Sequence, residues 1–154
     1  MKVQKYLCEI LSLVSQEQDE DKKLKILKNN KHTAIPLLCR FAYDPNYVCL
    51  VKDIPSYKED DSPYGYSYSH LLKEYHKVNY FFDYPDKHKA WKTNLGKINK
   101  ILFGILSSMH WGDSAILVAI LKRREIPNLP LDLAIKIYPE LSYLENKEIK
   151  EEQS

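Results

Sequence analysis

The side chains best suited to a chemical task are basic, and they are concentrated in one stretch of the chain. Residues 87–124 contain eight lysines and arginines but only one acid, Asp113. Because this window carries +7 and the whole 154-residue chain +2, the remaining residues sum to −5. A basic region between acidic ends is typical of proteins that bind the phosphate backbone of nucleic acids. The alternative interpretation is a solvated face that only keeps the protein in solution.

Within this stretch, residues 91–97 (WKTNLGK) have the composition of an anion-binding helix start. Thr93 and Asn94 are helix-capping residue types, and the first N–H groups of the following helix have no partner inside it. Lys92 and Lys97 flank this position, so a phosphate would meet both backbone donors and positive charge. An ordinary capped helix is the structural alternative.

Other clusters that could support catalysis or metal binding have simpler structural explanations. Residues 59–61 are adjacent acids and lack the spaced oxygen ligands of a calcium loop. His110 and Asp113 could form a catalytic pair, but we expect Asp113 to cap a helix and Trp111 to anchor the core or an interface. The chain contains no Lys-x-Asp-Gly, Walker A, Gly-x-Ser-x-Gly or His-Glu-x-x-His motif. We therefore expect no enzymatic activity, no cofactor and no metal.

A predicted long loop over residues 52–68 holds four of the twelve tyrosines. Loops of this length in compact domains tend to be functional or mobile. Tyrosine offers a large contact area at low entropic cost, so these rings could stack on bases or on another protein. We expect Tyr66 and Tyr68 to pin the loop to the body of the domain. Tyr57 and Tyr64 remain open as contacts for a partner.

The elements that position these residues are predicted to be helices. Four glycines in 154 residues are few for a sandwich or a small barrel, so the fold class is predicted to be all-α. Apolar residues at i, i+3, i+4 spacing predict a single compact bundle of six to eight helices in residues 1–143, followed by a charged, flexible tail in residues 144–154. The predicted helices cover residues 6–14, 20–30, 33–43, 69–82, 93–106, 114–124 and 131–137, with Thr33 and Ser69 as caps of the third and fourth. The predicted core contains Leu11, Leu27, Leu38, Phe41, Leu72, Ile101, Leu102, Ile105, Leu117, Ile120, Ile135 and Ile137.

The cysteines and the apolar runs indicate where the protein resides. Three cysteines without a Cys-x-x-Cys pair favour reduced, buried thiols over a disulfide framework. No run approaches the roughly 20 apolar residues that span a bilayer, and the first residues lack the features of a signal peptide. We therefore expect a cytoplasmic protein without a membrane partner.

Four stretches of the chain carry a family resemblance. They are residues 10–45, residues 66–75 (YSYSHLLKEY), residues 92–106 (KTNLGKINKILFGIL) and residues 115–141, which include the pair Tyr138-Pro139. In this order they resemble the N-terminal all-α DNA-binding domain of ATP-dependent DNA ligases, most closely the T-even phage type. The likeness extends over roughly residues 5–141.

The sequence also departs from that family. Asn128 stands where the family usually has a glycine between the last two helices, and asparagine is the next-best residue for a left-handed backbone. Arg124-Glu125 replaces an acid-Leu pair. No Lys-x-Asp-Gly nucleophile follows, so nothing here provides the ligases' adenylation site.

The resemblance implies a non-enzymatic, stand-alone domain that grips the backbone of duplex DNA on its minor-groove side. Readout of sequence is not expected, because nothing resembles a recognition helix. The predicted DNA-binding residues are Lys92, Thr93, Asn94, Lys97, Lys100, Arg123, Arg124, Asn128 and Lys136. Exposed basic residues contribute little to stability, so alanine at Lys97 and Arg124 is expected to weaken binding and spare the fold.

Two other interpretations remain open. One is a viral interaction module, such as a phage virion component or a binder of a host or replication protein, that keeps the fold and does not bind DNA. Its partner would use the loop at Tyr57 and Tyr64, and a viral origin would place it in the host cytoplasm or the virion. The other is a detached subunit that supplies its domain to a catalytic partner.

Overall fold

The structure is a computed structural model, which describes residues 5–83 and 95–145. Its regular elements are mostly helical. The α-helices are α1 (Leu7–Ser15), α2 (Glu20–Asn29), α3 (Ala34–Tyr43), α4 (Leu71–Glu74), α5 (Leu95–Ser108), α6 (Trp111–Arg123) and α7 (Leu131–Ile137). The described residues also include two 3₁₀ helices (Tyr75–Phe81 and Pro139–Ser142) and a two-stranded sheet, β1 (Val48–Cys49) and β2 (Phe82–Asp83). The predicted all-α bundle is confirmed.

The fourth predicted helix differs from the prediction in its geometry. It was expected to run unbroken from Ser69 to Phe82, but α4 ends after one turn and the chain continues as a 3₁₀ helix. The apolar positions explain the change. Val78 and Phe81 are fully buried and follow the half-buried Tyr75 at intervals of three. A helix with three residues per turn places such positions on one face.

The start of α3 also differs from the prediction. Thr33 occupies the N-cap position, but its side chain makes no capping hydrogen bond. The ring of His32 takes that role, since its Nδ1 accepts the Ala34 N–H at 3.0 Å. The predicted N-cap position is therefore right, but the side chain that caps the helix is that of the preceding residue.

The core agrees closely with the predicted set of twelve residues. Ten are buried, while Ile101 and Ile135 are half-buried and pack against the core from its edge. Leu144 is also fully buried, although it was assigned to the flexible tail, and residues 146–154 of that tail lie outside the described residues. The bundle is held by α6, which packs against α1, α3, α4 and α5.

The small sheet ties the loop after α3 to the end of the first 3₁₀ helix. Its strands are antiparallel, with Val48 opposite Asp83 and Cys49 opposite Phe82. The Phe82 ring stacks on Phe41 of α3 at 4.9 Å between centroids. The sheet therefore closes one side of the core.

The described residues contain three free cysteines, and burial raises the pKa of Cys39 to about 12. None of the helices described is both long enough and apolar enough to cross a membrane.

Candidate nucleic-acid interface

One buried cluster has the residue types of a catalytic site, and we call it the polar junction: Cys8, His110 and Asp113. Asp113 is fully buried in the first turn of α6. Its Oδ1 accepts the backbone N–H of Cys8 at 2.8 Å, and its Oδ2 accepts that of Leu71, also at 2.8 Å. The prediction that Asp113 caps its own helix is therefore wrong. It caps α1 and α4, while the Nδ1 of His110 caps α6 by accepting the Gly112 N–H.

The thiol of the polar junction is poorly suited to nucleophilic chemistry. Its Sγ lies 3.8 Å from the Nδ1 of His110, which already accepts a backbone N–H. Burial, and then the nearby Asp113 carboxylate, raise the pKa of Cys8 above its ordinary value, so the thiol stays protonated at neutral pH. Helices α1 and α6 also touch here, since a Cβ on Gly112 would lie 2.8 Å from both the Cβ and the Sγ of Cys8. The junction therefore serves packing.

The same arrangement explains Ser69 and the start of α4. Ser69 was predicted to cap this helix, but its Oγ donates to Glu74 at 2.6 Å and Asp113 accepts the first helical N–H instead. Ser69 joins the loop to α5, because its backbone N–H donates to the Ser108 carbonyl at 2.8 Å. Its role is to fix the end of the tyrosine loop.

The tyrosines of the loop face in unexpected directions. Tyr66 and Tyr68 were expected to pin the loop, yet they are 79% and 93% exposed. Ser67 and Ser69 pin it instead: the Ser67 N–H donates to the hydroxyl of Tyr6, and Ser69 is tied to α5. These backbone bonds fix the segment, which carries Tyr66 and Tyr68 with exposed side chains.

The two tyrosines left open by the sequence contact the domain. Tyr57 is half-buried and packs against the core. Tyr64 lies with its ring centroid 4.9 Å from that of His110 and 6.0 Å from that of Tyr6. Trp111, expected as an anchor, is half exposed, and its backbone N–H donates to the Asp60 carbonyl at 2.8 Å.

An open groove of about 610 Å³ separates α5 from α4 and the first 3₁₀ helix, and we call it the basic groove. Three lysines reach it from two walls: Lys73 of α4 and Lys77 of the 3₁₀ helix from one, and Lys100 of α5 from the other. The lining residues described are Tyr68, Ser69, Lys73, Glu74, Lys77, Tyr80, Lys100, Ile101, Gly104, Ile105 and Ser108. An anion entering this groove would meet positive charge from both sides.

Glu74 is the one acid among the described residues that line the groove, and its charge is already compensated. Burial disfavours its ionised form, but hydrogen bonds from Ser69 and Lys77 outweigh that effect and lower its pKa. The Oε2 of Glu74 lies 3.0 Å from the Nζ of Lys77. The groove therefore keeps a net positive charge.

Helix α5 carries the basic character beyond the groove. Its fourteen residues include no acid, and both Lys97 and Lys100 are exposed. Phe103 and Gly104 are exposed on the same helix, whereas Ile98 and Leu102 face the core. The other predicted contacts at this end, Lys92, Thr93 and Asn94, lie outside the described residues.

The remaining predicted contacts belong to other parts of the fold. Lys136 on α7 pairs with Glu20 on α2, and its pKa is raised by that hydrogen bond. Arg123 is exposed, and its Nε lies 3.5 Å from the Oε1 of Glu125. Asn128 has the left-handed backbone expected of it, with φ +64°.

Arg124 has a structural role that the sequence did not indicate. It ends α6 in a left-handed conformation with φ +54°. Its Nε donates to the Phe41 carbonyl at 2.9 Å and its Nη2 to the Asp44 carbonyl at 3.0 Å, while the guanidinium lies 5.0 Å from the Phe82 ring centroid. Arg124 therefore satisfies carbonyls at the end of α3. The expectation that its removal would spare the fold is corrected accordingly.

Lys73 and Lys77 are the site residues that the sequence reasoning missed. A signal was present, because residues four apart on a predicted helix share one face. Both lysines lie outside the acid-poor stretch 87–124, and Glu74 lies between them in the sequence. A count of net charge along the chain therefore does not select them.

No described group of three or more His, Cys, Asp or Glu residues could hold a metal ion. Comparison of the chain with protein-family models, curated proteins and solved structures gave no match.

Proposed function

We propose that this protein binds the phosphate backbone of nucleic acid without catalysing a reaction, using α5 and the basic groove. The observation that carries the proposal is the convergence of Lys73, Lys77 and Lys100 on one open groove whose acid is already compensated. Lysine is a compact point charge that suits phosphate oxygens. Contacts of this kind position a protein on nucleic acid without reading its sequence.

Duplex DNA is the form we propose, and the family resemblance is the reason for that choice. The contact set is Lys73, Lys77, Lys97 and Lys100, joined by Lys92, Thr93 and Asn94 just before α5. Arg123 adds positive charge at the end of α6. Arg124 is removed from the set because its donors bond backbone carbonyls.

A salt titration with a labelled duplex tests the proposal. Each neutralised phosphate releases condensed counterions, so the five lysines of the contact set should give a slope of log K against log salt of roughly −4 to −5. Alanine at both Lys73 and Lys100 should flatten that slope by about 2 and weaken all sequences alike.

The matched control is alanine at both Lys22 and Lys25. Both lysines are exposed on α2, which packs against α1 and α7, and the change in net charge is identical. An equal loss of duplex affinity in both double variants would show that binding depends only on the net charge of the protein. Absence of duplex binding at low salt would end the proposal.

The non-enzymatic part of the proposal has its own check. Self-adenylation needs a nucleophilic lysine in a nucleotide pocket, and the sequence has neither the lysine motif nor a glycine-rich phosphate loop. Incubation with labelled ATP and magnesium should leave the protein unlabelled. A covalent label would overturn this part.

A second candidate function, protein interaction, is favoured by the exposure of Tyr66 and Tyr68. Exposed tyrosines on an anchored backbone are effective contact residues in protein interfaces. A partner bound by the native protein and lost with Tyr66→Ser, in a variant that still binds duplex DNA, would support this function.

A further inference from the structure

We propose that the basic groove holds unpaired nucleotides, with one base stacked on Tyr68 and the adjoining phosphates on Lys73, Lys77 and Lys100. This inference rests on the proposed function, because it names the form of nucleic acid that the groove accepts. Duplex would lie on α5, and a single-stranded extension of that duplex would enter the groove. No motif in the sequence assigns such a site.

Tyr68 is held as a stacking platform. Its neighbours are both anchored: the Ser67 N–H donates to the Tyr6 hydroxyl at 3.3 Å, and the Ser69 N–H donates to the Ser108 carbonyl at 2.8 Å. The side chain between them is 93% exposed. A ring on a fixed backbone loses little freedom when it binds, because only two side-chain torsions need to be ordered.

The shape of the groove also favours a single strand. Bases in a duplex are already stacked on each other, so a tyrosine ring can stack only on a base that is free of its neighbours. A volume of about 610 Å³ is that of a small-ligand cleft, so a duplex can meet the groove's lysines only from outside, whereas unpaired nucleotides can enter it. Gly104 leaves space on the α5 side of the groove. Apart from its chain neighbours and the backbone of its own helix, no atoms lie within 4 Å of the position that a Cβ would occupy.

The charge of the groove favours a single-stranded nucleic acid over an apolar peptide as the occupant. Aromatic side chains alone would also suit an apolar peptide. Three ammonium groups around one compensated carboxylate instead favour a ligand that repeats a negative charge along its length. A groove that combines tyrosine rings with lysines suits the bases and phosphates of a single strand.

The experiment compares a blunt duplex with the same duplex carrying a three-nucleotide overhang, in the full-length protein. We expect the overhang to tighten binding by about 5- to 150-fold, the range for one base stacked on an aromatic side chain. An overhang of abasic nucleotides retains the phosphates but should lose most of this gain. Tyr68→Ala should bring the ratio of overhang affinity to blunt-duplex affinity to about 1, because the stacked base loses its partner.

Two further variants separate stacking in the groove from other effects. Tyr66→Ala removes another exposed tyrosine of the same loop that is not among the groove-lining residues, so it should preserve the overhang gain. Gly104→Leu places a good helix former in open space, so it should fill the groove and abolish the gain without unfolding the protein.

The outcomes distinguish this inference from the proposed function. Binding of blunt duplex with no gain from the overhang would overturn the inference and leave the proposed function standing. The inference would also be overturned if Tyr66→Ala and Tyr68→Ala reduced the affinity gain from the overhang equally. A full affinity gain with the abasic overhang would overturn it as well. If the protein binds neither the blunt duplex nor the duplex with the overhang, both proposals are overturned.

Discussion

The polar junction and the basic groove both contain side chains capable of chemistry, yet they use them in opposite ways. In the junction the Asp113 carboxylate and the His110 ring accept backbone N–H groups, and the Cys8 thiol is kept protonated. In the groove the lysines stand at an open surface, and hydrogen bonds compensate its described acid. Residue type alone therefore does not mark a site. The polar atoms must also remain available to a ligand.

The largest expected effect comes from removing the carboxylate of the junction. Asp113→Ala leaves the backbone N–H groups of Cys8 and Leu71 without their acceptor. At roughly 1–3 kcal/mol for each buried donor, the free energy of unfolding should fall by about 2–6 kcal/mol in a urea titration. Asp113→Asn keeps one acceptor oxygen and should lose less. Asp132→Ala, an exposed acid of α7, is the matched control; an equal loss there would contradict the structural role of Asp113.

A smaller loss is expected when Arg124 is replaced. Arg124→Ala breaks two charge-assisted hydrogen bonds to the carbonyls of Phe41 and Asp44, and it keeps a side chain in a left-handed conformation. We expect the free energy of unfolding to fall by about 2–3 kcal/mol. Arg123→Ala, the exposed neighbour, should change it by less than about 0.5 kcal/mol. Similar urea midpoints for the two variants would return Arg124 to the set of proposed DNA contacts.

The third prediction concerns thiol reactivity in the junction. In a variant with Cys39→Ala and Cys49→Ala, Cys8 should react with a disulfide reagent at pH 8 roughly a hundredfold more slowly when folded than in urea, because its folded pKa is raised. The same shift stabilises the fold below the ordinary pKa of 9.0, and this stabilisation declines as the pH rises above that value. Rapid labelling of the folded protein would identify Cys8 as a reactive thiol.

The smallest expected effect belongs to the groove, and it has the opposite sign. Glycine in a helix interior costs about 0.5–1 kcal/mol relative to alanine, and a Cβ at Gly104 meets no other residue. Gly104→Ala should therefore raise the free energy of unfolding by about that amount. Gly112→Ala is the contrasting variant, since its Cβ would collide with Cys8. Destabilisation by both would indicate that the groove wall at Gly104 is packed.

The fold was largely predictable because helix bounds depend on local spacing. The predicted bounds of α2 and α7 agree with the structure within a residue, and ten of the twelve residues that apolar periodicity assigned to the core are buried. The caps were less predictable, because the donors that Asp113 satisfies lie 105 and 42 residues away in sequence. No local pattern reports such a pairing.

The candidate site was predictable in its charge and only partly in its membership. Charge counting identified α5, but it treated Arg124 and Lys100 alike. Their difference depends on whether backbone carbonyls lie within reach, which is a property of the folded chain. The outward direction of Tyr68 likewise depends on the anchors of Ser67 and Ser69, which are formed by Tyr6 and α5.

The position of Asp113 in the chain has a consequence for folding during synthesis. It is the acceptor for the first N–H groups of both α1 and α4, which leave the ribosome before it. Until residue 113 emerges, these N–H groups must remain bonded to water, and the N-terminal helix cannot complete its contacts. Helix α1 is therefore synthesised well before Asp113, which accepts its hydrogen bond. The final docking of α1 follows the emergence of α6 from the ribosome.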